Sequence, residues 1–301
     1  MQSTNIQCLT FVLKDKSAKD FKTIASFCVE TPDIHIETIN VLSPDKAVDV
    51  LIKGTPDNLR AHIAKGLKGK NIKADFCLQA PENRKKSLLI CDMDSTLIGQ
   101  ECIDELADFA GVGAHVAGIT ERAMRGEIDF EAALIERVSL LKNLPISKLQ
   151  QCFNQRISLN QGAKTLCRTM VANGAHTVIV SGGFTFFTGR IAKLAGFSAH
   201  QANTLIDNGK TLTGEVGMPI LGRDAKRDAL EAHSKTLGGP LAAIAIGDGA
   251  NDLAMIERAG LGIAYRAKPI VADAAHCAID HADLTAALYF QGFSEDEFVR
   301  A

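Results

Sequence analysis

The chain has 301 residues, 46% hydrophobic and 23% charged, the composition of a globular protein long enough for two domains. A formal net charge of −2 supplies no broad positive field, so nucleic acid and acidic membrane surfaces are excluded as partners, and any bound phosphate must meet local cations. No apolar run reaches the roughly eighteen residues of a membrane span.

The 8 cysteines form no C-x-x-C pair and no metal-type cluster, and the start lacks a basic stretch followed by an apolar run, so a cytoplasmic protein with reduced thiols is expected. From Ile6 to Leu13 the chain reads as a strand, and Ser17 to Cys28 has helical spacing through Ala18, Phe21, Ile24 and Ala25. Ile34 to Leu42 and Ala47 to Ile52 read as strands, Pro56 to Leu67 as a helix and Ile72 to Leu78 as a last strand. The order βαββαβ predicts a ferredoxin-like domain over residues 1–81, without residues suited to chemistry. Its topology resembles that of ACT-type domains, which implies a homodimer paired through the sheets and sensing of an amino acid such as serine. A packing domain without a ligand stays open beside that reading. Pro81 to Lys86 has no apolar periodicity and reads as an exposed linker.

Residues 82–301 are expected to form the second domain. Ser87 to Met93 is a short apolar run, read as a strand buried on both faces and ending at Asp92 and Asp94. The pattern recurs at His176 to Val180, running into Ser181-Gly182-Gly183, and at Leu241 to Ile246, running into Gly247-Asp248-Gly-Ala-Asn251-Asp252. Helical segments at Gln161 to Ala172, Phe187 to Ala195 and Ala225 to Leu237 alternate with these strands and predict a doubly wound parallel α/β sheet. Ligands bind beyond the carboxyl ends of such strands, so the three polar segments are expected to meet in one crevice. The stretch at about 101–158 is too long for a crossover and rich in helix formers, and it reads as an inserted helical cap. A second insertion, Ala202 to Val216, carries the Asn208-Gly209 hairpin signal.

Two carboxylates at the end of one strand suit the cleavage of a phosphate ester: Asp92 as nucleophile, and Asp94 as the acid that protonates the leaving oxygen and later activates water. Carboxylates facing a phosphate repel it, so a hard cation is required. Magnesium fits, held by Asp92 and Asp248, by the backbone carbonyl of Asp94, and by Asp252 through water or Asn251. Ser181 and the peptide groups at Gly182 and Gly183 form an anion cradle, and Lys226 is the candidate phosphate cation, with Arg223 and Arg227 as competitors. Taken singly, D-x-D is common on surfaces, S-G-G is an ordinary turn and Lys226 an ordinary helix residue; the joint order carries the reading.

These segments resemble the four motifs of the haloacid dehalogenase-like hydrolase superfamily, in order: Asp92-Met-Asp94-Ser-Thr96, Ser181-Gly182, Lys226 and Gly247-Asp248-Gly-Ala-Asn251-Asp252. Within the cap, Asp94-Ser-Thr-Leu-Ile-Gly-Gln-Glu101, Met124-Arg-Gly-Glu-Ile-Asp-Phe130 and Arg137-Val-Ser-Leu-Leu-Lys-Asn-Leu-Pro145 resemble the phosphoserine phosphatases of that superfamily. The resemblance implies hydrolysis of free phosphoserine through an aspartyl-phosphate, the last step of serine biosynthesis. Glu101 would then bind the substrate ammonium and Arg137 its carboxylate, with Met124 and Phe130 lining the pocket and Asn251 also contacting the substrate. A related phosphatase or phosphotransferase for another small phosphomonoester is the alternative with the same Asp92 chemistry.

Overall fold

The computed structural model describes residues 6–31, 34–54, 58–125, 127–222 and 224–300, with backbone only at residues 29, 30 and 124. Strand β1 (Ile6–Leu13) alternates between two environments. Leu9, Phe11 and Leu13 pack under helices α1 (Ala18–Glu30) and α2 (Leu59–Gly69), while Cys8, Thr10 and Val12 face away from them. Ser17 starts α1 as its N-cap, its hydroxyl accepting from the Asp20 N–H at 3.2 Å. Strands β2 (His35–Ser43), β3 (Ala47–Lys53) and β4 (Ala74–Gln79) complete an antiparallel sheet of order β2-β3-β1-β4, the ferredoxin-like arrangement expected. The predicted helix start at Pro56 lies outside the described residues; the helix is observed from Leu59.

The second sheet is parallel throughout and has the order β12-β11-β10-β5-β6-β7. Its strands are β5 (Leu88–Cys91), β6 (His176–Phe184), β7 (Ala199–Asn203), β10 (Ala243–Gly247), β11 (Leu261–Tyr265) and β12 (Cys277–Ile279). Between β5 and β6 lie four cap helices, α3 (Cys102–Ala110), α4 (Gly113–Met124), α5 (Phe130–Ser139) and α6 (Ile146–Arg156), followed by α7 (Ala163–Ala172). Helix α8 (Thr185–Ala195) leads to β7, and the hairpin β8 (Leu205–Asp207) and β9 (Leu212–Val216) to α9 (Ala225–Ser234). Helices α10 (Leu253–Arg258), α11 (Pro269–Ala274) and α12 (Ala286–Phe290) complete the chain. Leu88, Ile90, Ala243 and Ala245 face α9, α10 and α11, while Leu89, Cys91, Ile244 and Ile246 face α7, α8 and α12. The sheet is thus covered on both faces, which is why its central strands read as unbroken apolar runs.

Four expectations need correction. Ser181, Gly182 and Gly183 lie within β6, not in a loop after it, because the backbone stays extended until Phe184 pairs with Asn203 across a register shift. Leu241 is 74% exposed in a turn of 3-10 helix ahead of β10, and α9 stops at Ser234 rather than at Leu237. The linker is not simply exposed: Arg84 sinks between the amino-terminal sheet and helix α12, donating to Asp49 Oδ2 at 2.6 Å, to Asp49 Oδ1 at 3.0 Å, and to the carbonyls of Tyr289 and Phe290. Nearby, buried Asp75 of β4 accepts backbone N–H bonds from Asp280, His281 and Ala282. These carboxylates draw the amino-terminal sheet onto the end of the larger one. All 8 cysteines are buried and unpaired, and among the described residues no helix is long and apolar enough to cross a membrane.

Candidate active site

The ladder between β5 and β10 continues one residue past β5, where the Asp92 N–H donates to the Ile246 carbonyl at 2.9 Å. That bond sets Asp92 at the carboxyl edge of the sheet beside the loop carrying Asp248. The chain then folds over Met93, whose carbonyl accepts from the N–H groups of Leu97 and Ile98 at 2.8 and 3.0 Å, with Ser95 left-handed at φ 56°. This turn brings Asp92, Asp94 and Thr96 to one small volume, as the D-x-D spacing required.

Lys226, at the start of α9, is buried and spans two acids, with Nζ 2.9 Å from Asp92 Oδ1 and 2.5 Å from Asp252 Oδ1. Burial works against its charge, but Asp92 and Asp252 outweigh burial and push its pKa up. Of its sequence competitors, Arg227 is exposed and pairs with Asp224 and Asp228, while Arg223 lies outside the described residues. Asp92 Oδ1 also accepts from the Met93 N–H at 2.7 Å, so both of these donors sit on one oxygen of a carboxylate that lines the crevice. Burial, then Asp252, holds the Asp92 carboxyl well above the ordinary range.

Asp94 Oδ1 accepts from the Cys102 N–H at 3.2 Å, and its Oδ2 lies against Gly183, where an added Cβ would stand 2.6 Å away. Glycine is therefore required at 183 by the carboxylate next to it. Burial, reinforced by Glu101, pushes the Asp94 carboxyl up to about 7. Asp248 accepts from the Thr96 hydroxyl at 2.9 Å and is pushed up to about 6 by burial and then by Asp252.

Asp92, Asp248 and Asp252 each offer a carboxylate oxygen within 4.8 Å of the others. Three ionised carboxylates against one ammonium would leave the cluster two charges negative, an excess that adds to burial in raising the carboxyls of Asp92 and Asp248. The donor set is all oxygen and fits a hard divalent cation. Asp252 differs from the other two: its Oδ1 meets Lys226 and its Oδ2 accepts from the N–H groups of Asp248 and Gly249 at 3.1 and 3.0 Å. Its oxygens already serve the protein, which suits a backing acid more than a direct ligand.

Across the crevice stands the cap. Glu101 at the head of α3, Phe130 at the head of α5 and Arg137 in its last turn line a cavity of about 400 Å³ together with Asp92, Asp94 and Asn251. Glu101 accepts from the Ser95 hydroxyl at 2.6 Å, and burial pushes its carboxyl up. Arg137 donates through Nε to the Ala133 carbonyl, which leaves its terminal nitrogens for the cavity; burial lowers its pKa, opposed by Asp104 and Glu101. The ring of Phe130 lies against Gly182, on the wall shared with Ser181. The side chain of Met124 is outside the described residues. Sequence reading overlooked Thr96 as the partner of Asp248 and Ser95 as the partner of Glu101. Both stood inside a motif already singled out, and small hydroxyl residues flanking acids were the available signal.

A protein-family model described as haloacid dehalogenase-like hydrolase matches residues 89–257, more than half the chain. The chain belongs to this family of hydrolases. The chain is 39% identical over 249 residues to the probable phosphoserine phosphatase of Schizosaccharomyces pombe, covering 82% of this chain and 83% of that one. It is 47% identical over 204 residues to the phosphoserine phosphatase of Archaeoglobus fulgidus, covering 67% of this chain but 59% of the relative's length. Among solved structures, a phospho-aspartyl intermediate analogue of phosphoserine phosphatase superposes with a TM-score of 0.62 at 41% identity, over 68% of this chain and 99% of that one.

Proposed function

We propose that the chain is a phosphoserine phosphatase, hydrolysing O-phospho-L-serine to L-serine and phosphate, the step that ends serine biosynthesis, through an aspartyl-phosphate on Asp92. The single observation that carries this reading is the meeting, in one cavity, of Glu101 and Arg137 with Asp92, whose carboxylate Lys226 holds from behind. A substrate bearing an ammonium, a carboxylate and a phosphate needs an acid, a planar base and a cationic phosphate site; Glu101 and Arg137 line the cavity as the first two, and Lys226 behind Asp92, with a bound divalent cation, would supply the third. The relatives bearing the name phosphoserine phosphatase support it.

In this reading Asp92 Oδ2 attacks phosphorus while its other oxygen stays held by Lys226 and the Met93 N–H. The serine alkoxide departs with a proton from Asp94. Asp94, now ionised, takes a proton from the water that attacks the acyl phosphate, releasing phosphate and restoring Asp92. The Ser181 hydroxyl and the peptide N–H at Gly182 hold the phosphoryl oxygens, with Asn251 beside them and Lys226 neutralising charge, while the Gly183 N–H is kept by Ser181 Oγ. Magnesium would be held by the carboxylates of Asp92 and Asp248 and the carbonyl of Asp94, with Asp252 behind, acting through water or Asn251. When bound it supplies positive charge to the phosphoryl oxygens. Glu101 takes the ammonium and Arg137 the carboxylate, while Phe130 shapes the wall.

The test is phosphate release from phosphoserine and a panel of other phosphomonoesters, with and without magnesium. Asp92→Asn should abolish release, and Arg137→Ala should remove the preference for phosphoserine over esters lacking a carboxylate. Full activity in Asp92→Asn would overturn the mechanism; turnover of another ester in place of phosphoserine would overturn the substrate. The reading also divides the chain at residues 81 and 82, sets the cap at about 101–158 and pairs two copies through the amino-terminal domain. Exposed Ile39 and Val41 on the edge strand β2 support the pairing, which sedimentation can check. Eight unpaired thiols fit a cytoplasmic setting.

A further inference from the structure

We infer that Asn203 is a positioning residue for phosphoryl transfer and acts through Ser181; the inference rests on the function proposed above. Asn203 ends β7 and is 2% exposed, and both ends of its side-chain amide are used. Nδ2 donates to the Gly182 carbonyl at 2.9 Å, and Oδ1 accepts from the Leu221 N–H at 2.7 Å. The reason for the first bond lies in the sheet. Strands β6 and β7 pair at Val180 with Gln201 and next at Phe184 with Asn203, so the Gly182 carbonyl falls in a gap of the ladder that the side chain fills.

The carbonyl of Gly182 and the N–H of Gly183 belong to one planar peptide group. Fixing the carbonyl toward Asn203 therefore fixes the opposite direction of the N–H, which donates to Ser181 Oγ at 2.9 Å. A hydroxyl has one proton and two lone pairs, and a lone pair engaged by Gly183 turns the proton away from that N–H. Ser181 lines the crevice, so its proton is directed to where the phosphoryl oxygens would lie. The chain of bonds from Asn203 through the peptide to Ser181 also polarises that hydroxyl in one sense, as a donor. A peptide between two glycines has little intrinsic preference to hold this orientation, so the buried amide supplies it. Through Leu221 the same amide ties the phosphate-facing end of β6 to the segment entering α9, where Lys226 stands.

The test is a double-mutant cycle of Asn203→Leu with Ser181→Ala, read as kcat and KM for phosphoserine with magnesium present. Asn203→Leu keeps the volume and removes both bonds. It should lower kcat by about tenfold or more, with KM changed less than about threefold, since the donor acts on charge in the transition state. In the Ser181→Ala background the same substitution should produce no further loss in kcat. Additive losses, or kcat at the wild-type level in Asn203→Leu, would overturn the assignment. If circular dichroism shows the leucine variant unfolded, the smaller Asn203→Ala is put through the same cycle with the same expectation. Should the wild type cleave p-nitrophenyl phosphate but not phosphoserine, the substrate reading fails, and the cycle is read on the aryl ester with the same two outcomes.

Discussion

The acids of the crevice are buried among other acids, and this fixes the sign of their pH response. Asp94 sits up at about 7 and Asp248 at about 6, chiefly through burial, whereas unfolded aspartates ionise near about 4. Between about pH 4 and 7 the folded chain therefore binds more protons than the unfolded one, and these groups' contribution to stability falls as pH rises through that window. A divalent cation relieves the same crowding. Magnesium should accordingly raise the urea midpoint of unfolding more at about pH 7.5 than at about pH 5; equal shifts at the two would show that these carboxyls do not hold it. At this scale the motif residues were legible because each followed an apolar run. Asn203 was not, since a single asparagine at the end of a short polar strand carries no mark in the sequence of the carbonyl it would meet.

At the scale of elements, the hairpin β8–β9 does more than decorate the sheet edge. The carbonyls of Leu212 and Lys210 accept from the N–H groups of Asn143 and Ile146, and the Leu212 N–H returns to the Leu144 carbonyl, so the hairpin grips the turn between α5 and α6. Gly214 makes the close approach with φ 85°, and a Cβ there would lie 3.0 Å from Lys142 Cβ and 3.2 Å from the Ser139 carbonyl. Ser139 ends α5, whose last turn carries Arg137, and Lys142 lies three residues beyond it. Gly214→Val should therefore raise KM for phosphoserine several-fold while leaving kcat within about twofold, and esters without a carboxylate should not register the change. The hairpin itself was readable from Asn208-Gly209; its grip on the cap depends on backbone groups whose partners lie far along the chain. Strands β11 and β12 escaped sequence reading for another reason: Leu-Gly-Ile-Ala-Tyr mixes small residues into a short run, and Cys-Ala-Ile is too brief to show a period.

The whole molecule is joined by polar contacts hidden from solvent. Arg84 forms two bonds to Asp49, with both side chains no more than 10% exposed, and it also meets the Thr10 hydroxyl at 2.9 Å. Removing one partner strands the other's charge in the seam. Arg84→Ala should lower stability by about 3–5 kcal/mol and split one unfolding transition into two, monitored by urea titration with circular dichroism. A single transition of unchanged midpoint would show that the seam carries no such coupling. Sequence alone suggested a bare linker here, because a lone arginine among Asn, Lys and Lys gives no sign that a sheet and a helix close over it.

The buried cysteines turn this construction into a set of clocks. Cys8, Cys28 and Cys77 belong to the amino-terminal sheet and its helix, Cys102 and Cys152 to the cap, and Cys91, Cys167 and Cys277 to the large sheet and its cover, all of them buried. In the native fold a thiol reagent meets none of them, so alkylation can proceed only as fast as the surrounding structure opens. Peptide-resolved labelling over time would then report three opening rates from the unmodified chain, one for each part, and the order in which the masses shift would tell whether cap, sheet or amino-terminal layer loosens first.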